Sequence, residues 1–349
     1  MPLTTTTIGS YPKPAFLPVA DWFQHPGEEG DVATNSYDAR LQAMGDEAEA
    51  IFARAAKEVI EDQVAAGIDI PTDGEVRREN YIHYHCRHLE GFDFDRLTPK
   101  SLRQGAYTVK LPTITGPVRA SAPFLPHDWK MAQSFTDRPV KPTMPGPMTI
   151  ADTTVDLHYD DEVKLNRDLA SALNAEVLAL VEAGCRHIQI DEPVFARKAA
   201  QALDYGFEDL ERCWHGVPPE VTKVVHMCCG YPNAMDDEDY PKADRRAYFD
   251  LAGAIEASCI DAISLEDAHR HNDLSLLECF EKTTVIFGAI AIAKSRLESV
   301  EEVRERLLAA REKLPAERLM AAPDCGLGYF TREQAIAKMK VLSEAAKSI

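Results

Sequence analysis

Clustered Lys and Arg, long apolar runs and a Gly-rich phosphate loop are all missing from this chain of 349 residues. Acids outnumber bases by 57 to 38, a formal net charge of -19. A phosphate backbone or an anionic bilayer is held by basic groups that replace its counterions, so the charge argues against nucleic-acid and membrane-surface binding. No apolar stretch approaches the length of a membrane span. The start, Met1-Pro2-Leu3-Thr4-Thr5-Thr6-Thr7-Ile8-Gly9-Ser10, lacks the basic and apolar regions of a secretory signal, and the protein is expected in the cytoplasm. Cysteine is sparse too: eight in a chain of this length make no disulfide scaffold, and a reducing compartment leaves them as thiols open to a metal. Cys86, Cys185, Cys213, Cys259 and Cys279 stand in helical or strand-like apolar contexts, where buried Cys is ordinary packing. No internal repeat or hinge-like linker asks for a second domain.

What is present is a repeated unit in which an amphipathic helix stops and a short apolar strand follows. The pattern predicts a helix over Ala48 to Val64 before Ile68-Asp69-Ile70, and another over Leu165 to Glu182 before His187-Ile188-Gln189-Ile190-Asp191-Glu192-Pro193. Helices over Tyr248 to Ala257, Leu274 to Glu281 and Val300 to Lys313 lead in the same way to Ala262 to Leu265, Thr284 to Phe287 and Leu319 to Ala321. Such alternation calls for right-handed crossovers and a parallel sheet. Polar residues fall just past the strands, where an eight-fold barrel gathers its loops at one mouth. An open doubly wound sheet competes, but no Gly-rich loop follows the first strand. The expectation is one α/β unit over residues 1–349, a (β/α)8 TIM barrel. Two regions break the rhythm and are read as insertions, one at about 11–37 and a Pro-punctuated one at about 99–147.

Soft metal ligands stand at three strand ends. His226-Met227-Cys228-Cys229-Gly230 follows Val224-Val225, Glu266 ends Ala262-Ile263-Ser264-Leu265, and Cys325 follows Ala322-Pro323-Asp324. One His, two Cys and one Glu make a tetrahedral zinc set. His226 and Cys228 are two apart, so on a strand they share a face. Cys229 then points away and is read as packing, although a bulge at Gly230 would exchange the two. Two thiolates and a carboxylate leave a divalent ion with a formal charge of about minus one, which suits holding an incoming thiol as a nucleophilic thiolate better than making hydroxide. The bland reading of each residue alone is packing. It is the conjunction at one barrel mouth that points to a catalytic metal.

These residues and their surroundings closely resemble the C-terminal catalytic half of cobalamin-independent methionine synthase. The matching pieces are Thr6 to Ser10, Asp73-Gly74-Glu75 with Arg78 and Asn80, Gly146 to Ile150, Ile188 to Pro193, His226 to Cys228, Ile263 to Glu266 and Pro323 to Leu327. The resemblance implies a barrel of the methionine synthase and uroporphyrinogen decarboxylase-like type, with Zn2+ on His226, Cys228, Glu266 and Cys325. It also implies a homocysteine pocket, in which Ile8, Gly9 and Ser10 donate to the carboxylate while Glu75 and Asp191 pair with the ammonium. Glu192 would brace the site from behind.

Three departures bear on the methyl donor. The N-terminal half that helps hold polyglutamyl folate has no counterpart here. The folate-stacking Trp of the family falls in Asp152-Thr153-Thr154-Val155 and a neighbouring Arg near Tyr107. The family's proton-donating His falls at Ala293, in Ile292-Ala293-Lys294-Ser295-Arg296, and a further homocysteine-contacting Glu falls at Arg197. A pterin wants a stacking partner and its amine leaving group wants an acid. The reading is therefore methyl transfer to homocysteine from a donor other than free polyglutamyl folate, such as a methylated corrinoid carrier protein. An alkyl transfer or epoxide opening by another thiol, as in the epoxyalkane:coenzyme M transferases, is the alternative within the same chemistry. A non-catalytic zinc-binding protein is the alternative of another class.

Overall fold

Eight extended segments, each too short to bury a face alone, close into a ring in the computed structural model, which describes residues 2–20, 32–102, 107–231, 234–238 and 240–349. The strands in chain order are β1 (Thr4–Thr5), β2 (Leu89–Leu102), β3 (Tyr107–Ala120), β4 (Thr143–Pro145), β5 (Val155–Asp156), β6 (His187–Asp191), β7 (Thr222–Met227), β8 (Ala262–Leu265), β9 (Thr284–Ile290) and β10 (Leu319–Pro323). Seven of them form one sheet in the order β1, β10, β9, β8, β7, β6, β4, and every pair in it is parallel. The eighth place belongs to residues 68–71. Ile70 bridges Thr6 of the strand segment at one edge, and Lys141 N donates to Pro71 O at the other. The sheet is curled and the architecture is the expected α/β barrel.

The alternation within each strand separates two cores. Val225, Met227, Ile263, Leu265, Val285 and Phe287 face the helices and join the main apolar cluster. Val224, Ala262, Ile286, Ala322 and Ile8 face inward and form a small cluster of their own, the floor of the barrel. Two residues further along β7 and β8 the inward side chains become His226 and Ser264, and Asp191 of β6 lines up with them through the registers Asp191 to His226 and His226 to Ser264. The apolar floor thus lies directly beneath a polar layer.

The crossover helices begin and end where their sequences say. Asp161 accepts from Lys164 N to start Glu162–Ala183, and Gly184 at φ 108° ends it. Capping boxes start Val300–Arg311 at Ser299 and Glu302, and Arg332–Lys347 at Thr331 and Gln334. Of Leu274 to Glu281, read as a helix, Leu274–Cys279 forms a 3-10 helix.

The stretch read as an insertion from Pro99 to Pro147 divides. Its first part completes the antiparallel β2–β3 hairpin, which β5 extends, and its last part is the barrel strand β4. Of the region Tyr11 to Tyr37, residues 21–31 lie outside those described, while Val32–Met44 is helical. Among the described residues no helix is long and apolar enough to cross a membrane.

Candidate active site

Three of the four anticipated metal ligands meet at the mouth. One ligand atom from each of His226, Cys228 and Cys325 lies within 4.8 Å of the others, and His226 is 2% exposed. His226, next to last in β7, points inward, and its Nδ1 sits 2.9 Å from Ser264 Oγ on the neighbouring strand. That contact turns Nε2 toward the sulfurs, where it is buried without a hydrogen-bond partner. A bare buried nitrogen beside two thiols is what a metal-ligating imidazole looks like before its ion is counted.

The two sulfurs behave as one acid. The Cys325 thiol beside it, then the His226 ring, pull the Cys228 thiol well below its usual range against the effect of burial. Cys325 is pushed up in turn, first by Cys228 and then by burial. The two thiols titrate as a coupled pair. Burial works against the His226 imidazolium, yet the Cys228 sulfur outweighs it and the ring is left more basic than usual. Burial drives the Cys229 thiol up to about 12, and this residue stands outside the group.

Glu266 is placed differently. Its Oε1 is 2.5 Å from Lys242 Nζ and its Oε2 accepts from Cys229 N at 3.1 Å, so it borders the cluster through Cys229 and is not one of the three that converge. Lys242 comes from a loop that no periodicity marks. Asp324 holds this end of the mouth together, because its carboxylate accepts from Asp267 N at 2.9 Å, Ala268 N at 2.9 Å and His269 N at 2.7 Å. The loop after Glu266 is thereby tied to the residue before Cys325.

Next round the ring lies a second group, made of acids that are already partnered. Glu75 Oε1 accepts from Thr143 Oγ1 at 3.1 Å, and Arg78 Nη1 lies 3.5 Å from it while donating to Thr143 at 2.9 Å. Glu75 adopts φ 57°, a left-handed conformation that costs a non-glycine residue energy and is repaid by this network. Its carboxylate lies over Gly9, where a Cβ would come within 2.5 Å of Oε1. Gly9 is needed there for that close approach. Ser10 packs likewise on Gly326, the residue after Cys325, which brings the Ile8 to Ser10 segment to the thiols.

Asp191 ends β6, and its Oδ1 accepts from Gln189 Nε2 at 2.7 Å. Burial raises Glu75 to about 7 and Asp191 to about 6. Glu192 faces away from this group. It accepts from Met148 N at 2.9 Å, Thr149 N at 3.1 Å and Thr149 Oγ1 at 2.8 Å, and so caps the start of the helix Pro147–Asp152. Burial lifts its carboxyl to about 8.

The match to known proteins follows this geometry over its whole length. A family model for the catalytic domain of cobalamin-independent synthase matches residues 3–348. The chain belongs to that family. A methionine synthase of Saccharolobus solfataricus is 29% identical over 352 residues, covering 99% of this chain and 95% of that protein. One of Sulfolobus acidocaldarius is 28% identical over 341 residues, covering 97% and 89%. A solved B12-independent methionine synthase from Shewanella sp. W3-18-1, in complex with selenomethionine, has a TM-score of 0.87 at 31% identity, covering 100% of this chain and 98% of that one. The resemblance read from the sequence holds for both family and barrel.

In this member of the family the three departing positions have local partners. Thr153 and Thr154 turn their hydroxyls back onto helix carbonyls, at 2.6 Å from Thr149 O and 2.8 Å from Ile150 O. Asp152 holds Arg197 at 3.1 Å and Lys198 at 2.9 Å, and Lys100 Nζ donates to Thr154 O at 2.7 Å. Ala293, 1% exposed, presents its backbone N–H to His269 Nε2 at 3.1 Å. His269 accepts there, and its imidazolium is pushed down to about 3 by burial.

Proposed function

We propose that this chain is a zinc-dependent thiol S-methyltransferase that converts homocysteine to methionine. The methionine synthases among its relatives, and the selenomethionine bound to the Shewanella protein, support the reaction class. The observation that carries the reading is the buried meeting of His226, Cys228 and Cys325 around an Nε2 with no partner. In this reading those three residues hold the ion with Glu266 as the fourth. Zinc held there supplies the positive charge that lowers the pKa of a substrate thiol and keeps its sulfur nucleophilic.

The rest falls to the chain itself. Backbone N–H groups of Ile8 to Ser10, with the Ser10 hydroxyl, take the substrate carboxylate. Glu75 and Asp191 take its ammonium, and burial makes both acids ready to bind a cation in place of a proton. Held at both ends, the substrate has its sulfur directed toward the thiol wall. The floor of Ile8, Val224, Ala262, Ile286 and Ala322 keeps water from competing. The sulfur attacks the methyl carbon in line, so that the new C–S bond forms as the bond to the carrier breaks and its electron pair leaves with the carrier.

The donor in this reading is not free polyglutamyl folate, and a methylated corrinoid protein is the carrier we favour. Asp152 to Val155 carries hydroxyls engaged with its own helix, with no aromatic face, and Ala293 has no proton to give a leaving amine.

Metal analysis joined to zinc-edge absorption tests this. The protein is expected to hold stoichiometric zinc, to gain a sulfur ligand with homocysteine, and to lose most of the metal as Cys325→Ser. Unchanged zinc in that variant overturns the ligand set. A new sulfur ligand with coenzyme M and none with homocysteine overturns the substrate.

A further inference from the structure

Beneath the acid wall a lysine is buried in the barrel interior without a carboxylate bonded to it. Lys141 is 1% exposed, and its Nζ donates to Oε1 of Gln189, which is 0% exposed. Gln189 Nε2 donates in turn to Ile8 O at 2.6 Å and to Asp191 Oδ1 at 2.7 Å. The direction of this chain is forced. A backbone carbonyl can only accept, so Ile8 O requires the amide nitrogen on its side and leaves the amide oxygen for Lys141. Burial pushes the Lys141 ammonium down to about 7, a measure of what its place in the interior costs. An apolar side chain would pack there without that cost. The two acceptors of Gln189 are the strand end that carries Asp191 and the first residue of the Ile8 to Ser10 segment, the two ends of the amino-acid pocket.

We propose that Lys141 is a positioning residue that, by orienting the Gln189 amide, sets Asp191 against Ile8 and so selects a thiol substrate bearing an ammonium group. The proposal rests on Asp191 pairing with the substrate ammonium. Ile8 O decides which end of the amide faces it and Lys141 anchors the other end, so losing Lys141 leaves Gln189 Oε1 buried without a donor and loosens the hold of the amide on Asp191.

Calorimetric binding of homocysteine and of 4-mercaptobutyrate, which lacks the amino group, to the zinc-loaded protein tests it. Lys141→Met should lower homocysteine affinity about tenfold and leave 4-mercaptobutyrate within about threefold, with zinc content unchanged. Gln189→Leu should do the same, and it carries the test if Lys141→Met does not fold. Equal losses for both thiols, or no loss for either, overturn the proposal. Asp191→Asn separates the two levels of argument. If it too fails to discriminate between the thiols, the pairing of Asp191 with ammonium is wrong and the proposal falls with it. If it discriminates and the Lys141 and Gln189 variants do not, only the positioning role is wrong.

Discussion

The two walls of the mouth satisfy their buried polar atoms in opposite ways. On the thiol wall, His226 Nε2 makes no hydrogen bond and lies beside the Cys228 and Cys325 sulfurs, so the protein concentrates unmet ligand capacity there. On the acid wall, Glu75 already has Thr143 and Arg78, and Asp191 has Gln189. In the proposed reading an ion would complete the first wall, while the carboxylates of the second already have partners within the fold, although Arg78 Nη2 beside them makes no hydrogen bond. Metal affinity should therefore depend on the thiol wall and fold stability on the acid wall.

The variant His226→Asn presses hardest on that difference. It removes a ligand of the proposed zinc site, and since even the residues behind metal ligands are worth 10–100-fold, zinc affinity should drop by more than about a hundredfold. The melting temperature of the metal-free protein should move by no more than a few degrees, because Nε2 contributes no bond to the fold. Chelator competition gives the first quantity and thermal denaturation the second. A large loss of metal-free stability with zinc affinity intact would erase the contrast between the walls.

Glu75→Gln should show the reverse. Homocysteine affinity should fall by about 30-fold as one of the two carboxylates proposed to pair with the ammonium is lost, and zinc should stay. The metal-free protein should also lose about 1–3 kcal/mol, since Arg78, itself 2% exposed, is left with Asp73 at 3.6 Å as its remaining charge partner. Isothermal titration and denaturant melts read the two effects. Zinc loss equal to that of His226→Asn would mean that the walls are one cooperative unit.

The thiol wall was the more legible of the two in the sequence, and the reason is geometric. His226, Cys228, Glu266 and Cys325 each follow a β-branched or small apolar run, so strand ends and ligand chemistry coincide in a few consecutive residues. The strands His187–Asp191 and Ala262–Leu265 were readable on the same ground. The acid wall is stitched across long separations: Glu75 meets Thr143, 68 positions away, and Gln189 meets Ile8, 181 positions away. Thr143 also lies in a strand of only three residues that ends in Pro145, inside a stretch whose prolines read as irregular. Lys141 was hidden for the same reason. The pairing of Glu266 with Lys242 joins two loops, and no strand or helix period encodes a contact between loops.

Raised carboxyl pKa values do not by themselves mark the acid wall, and Glu176 shows this. It lies in the helix Glu162–Ala183, accepts from Leu125 N at 2.7 Å and Phe124 N at 3.0 Å, and burial raises it from 4.5 to about 7. Because the folded state binds this proton more tightly than the unfolded chain, its contribution to stability is complete below about 4.5 and is lost as pH rises through about 7. That interval corresponds to at most about 3 kcal/mol. Glu176→Gln has no such proton to lose, so the melting temperature of the wild type relative to this variant should drop by a few degrees between pH 5 and pH 8. Homocysteine affinity should not change at either pH. A pH-independent gap in melting temperature would show that Glu176 is ionised at no cost, and burial would then be a poor account of the acids at the mouth as well. A change in homocysteine affinity would instead extend the acid wall back to the helix that packs behind it.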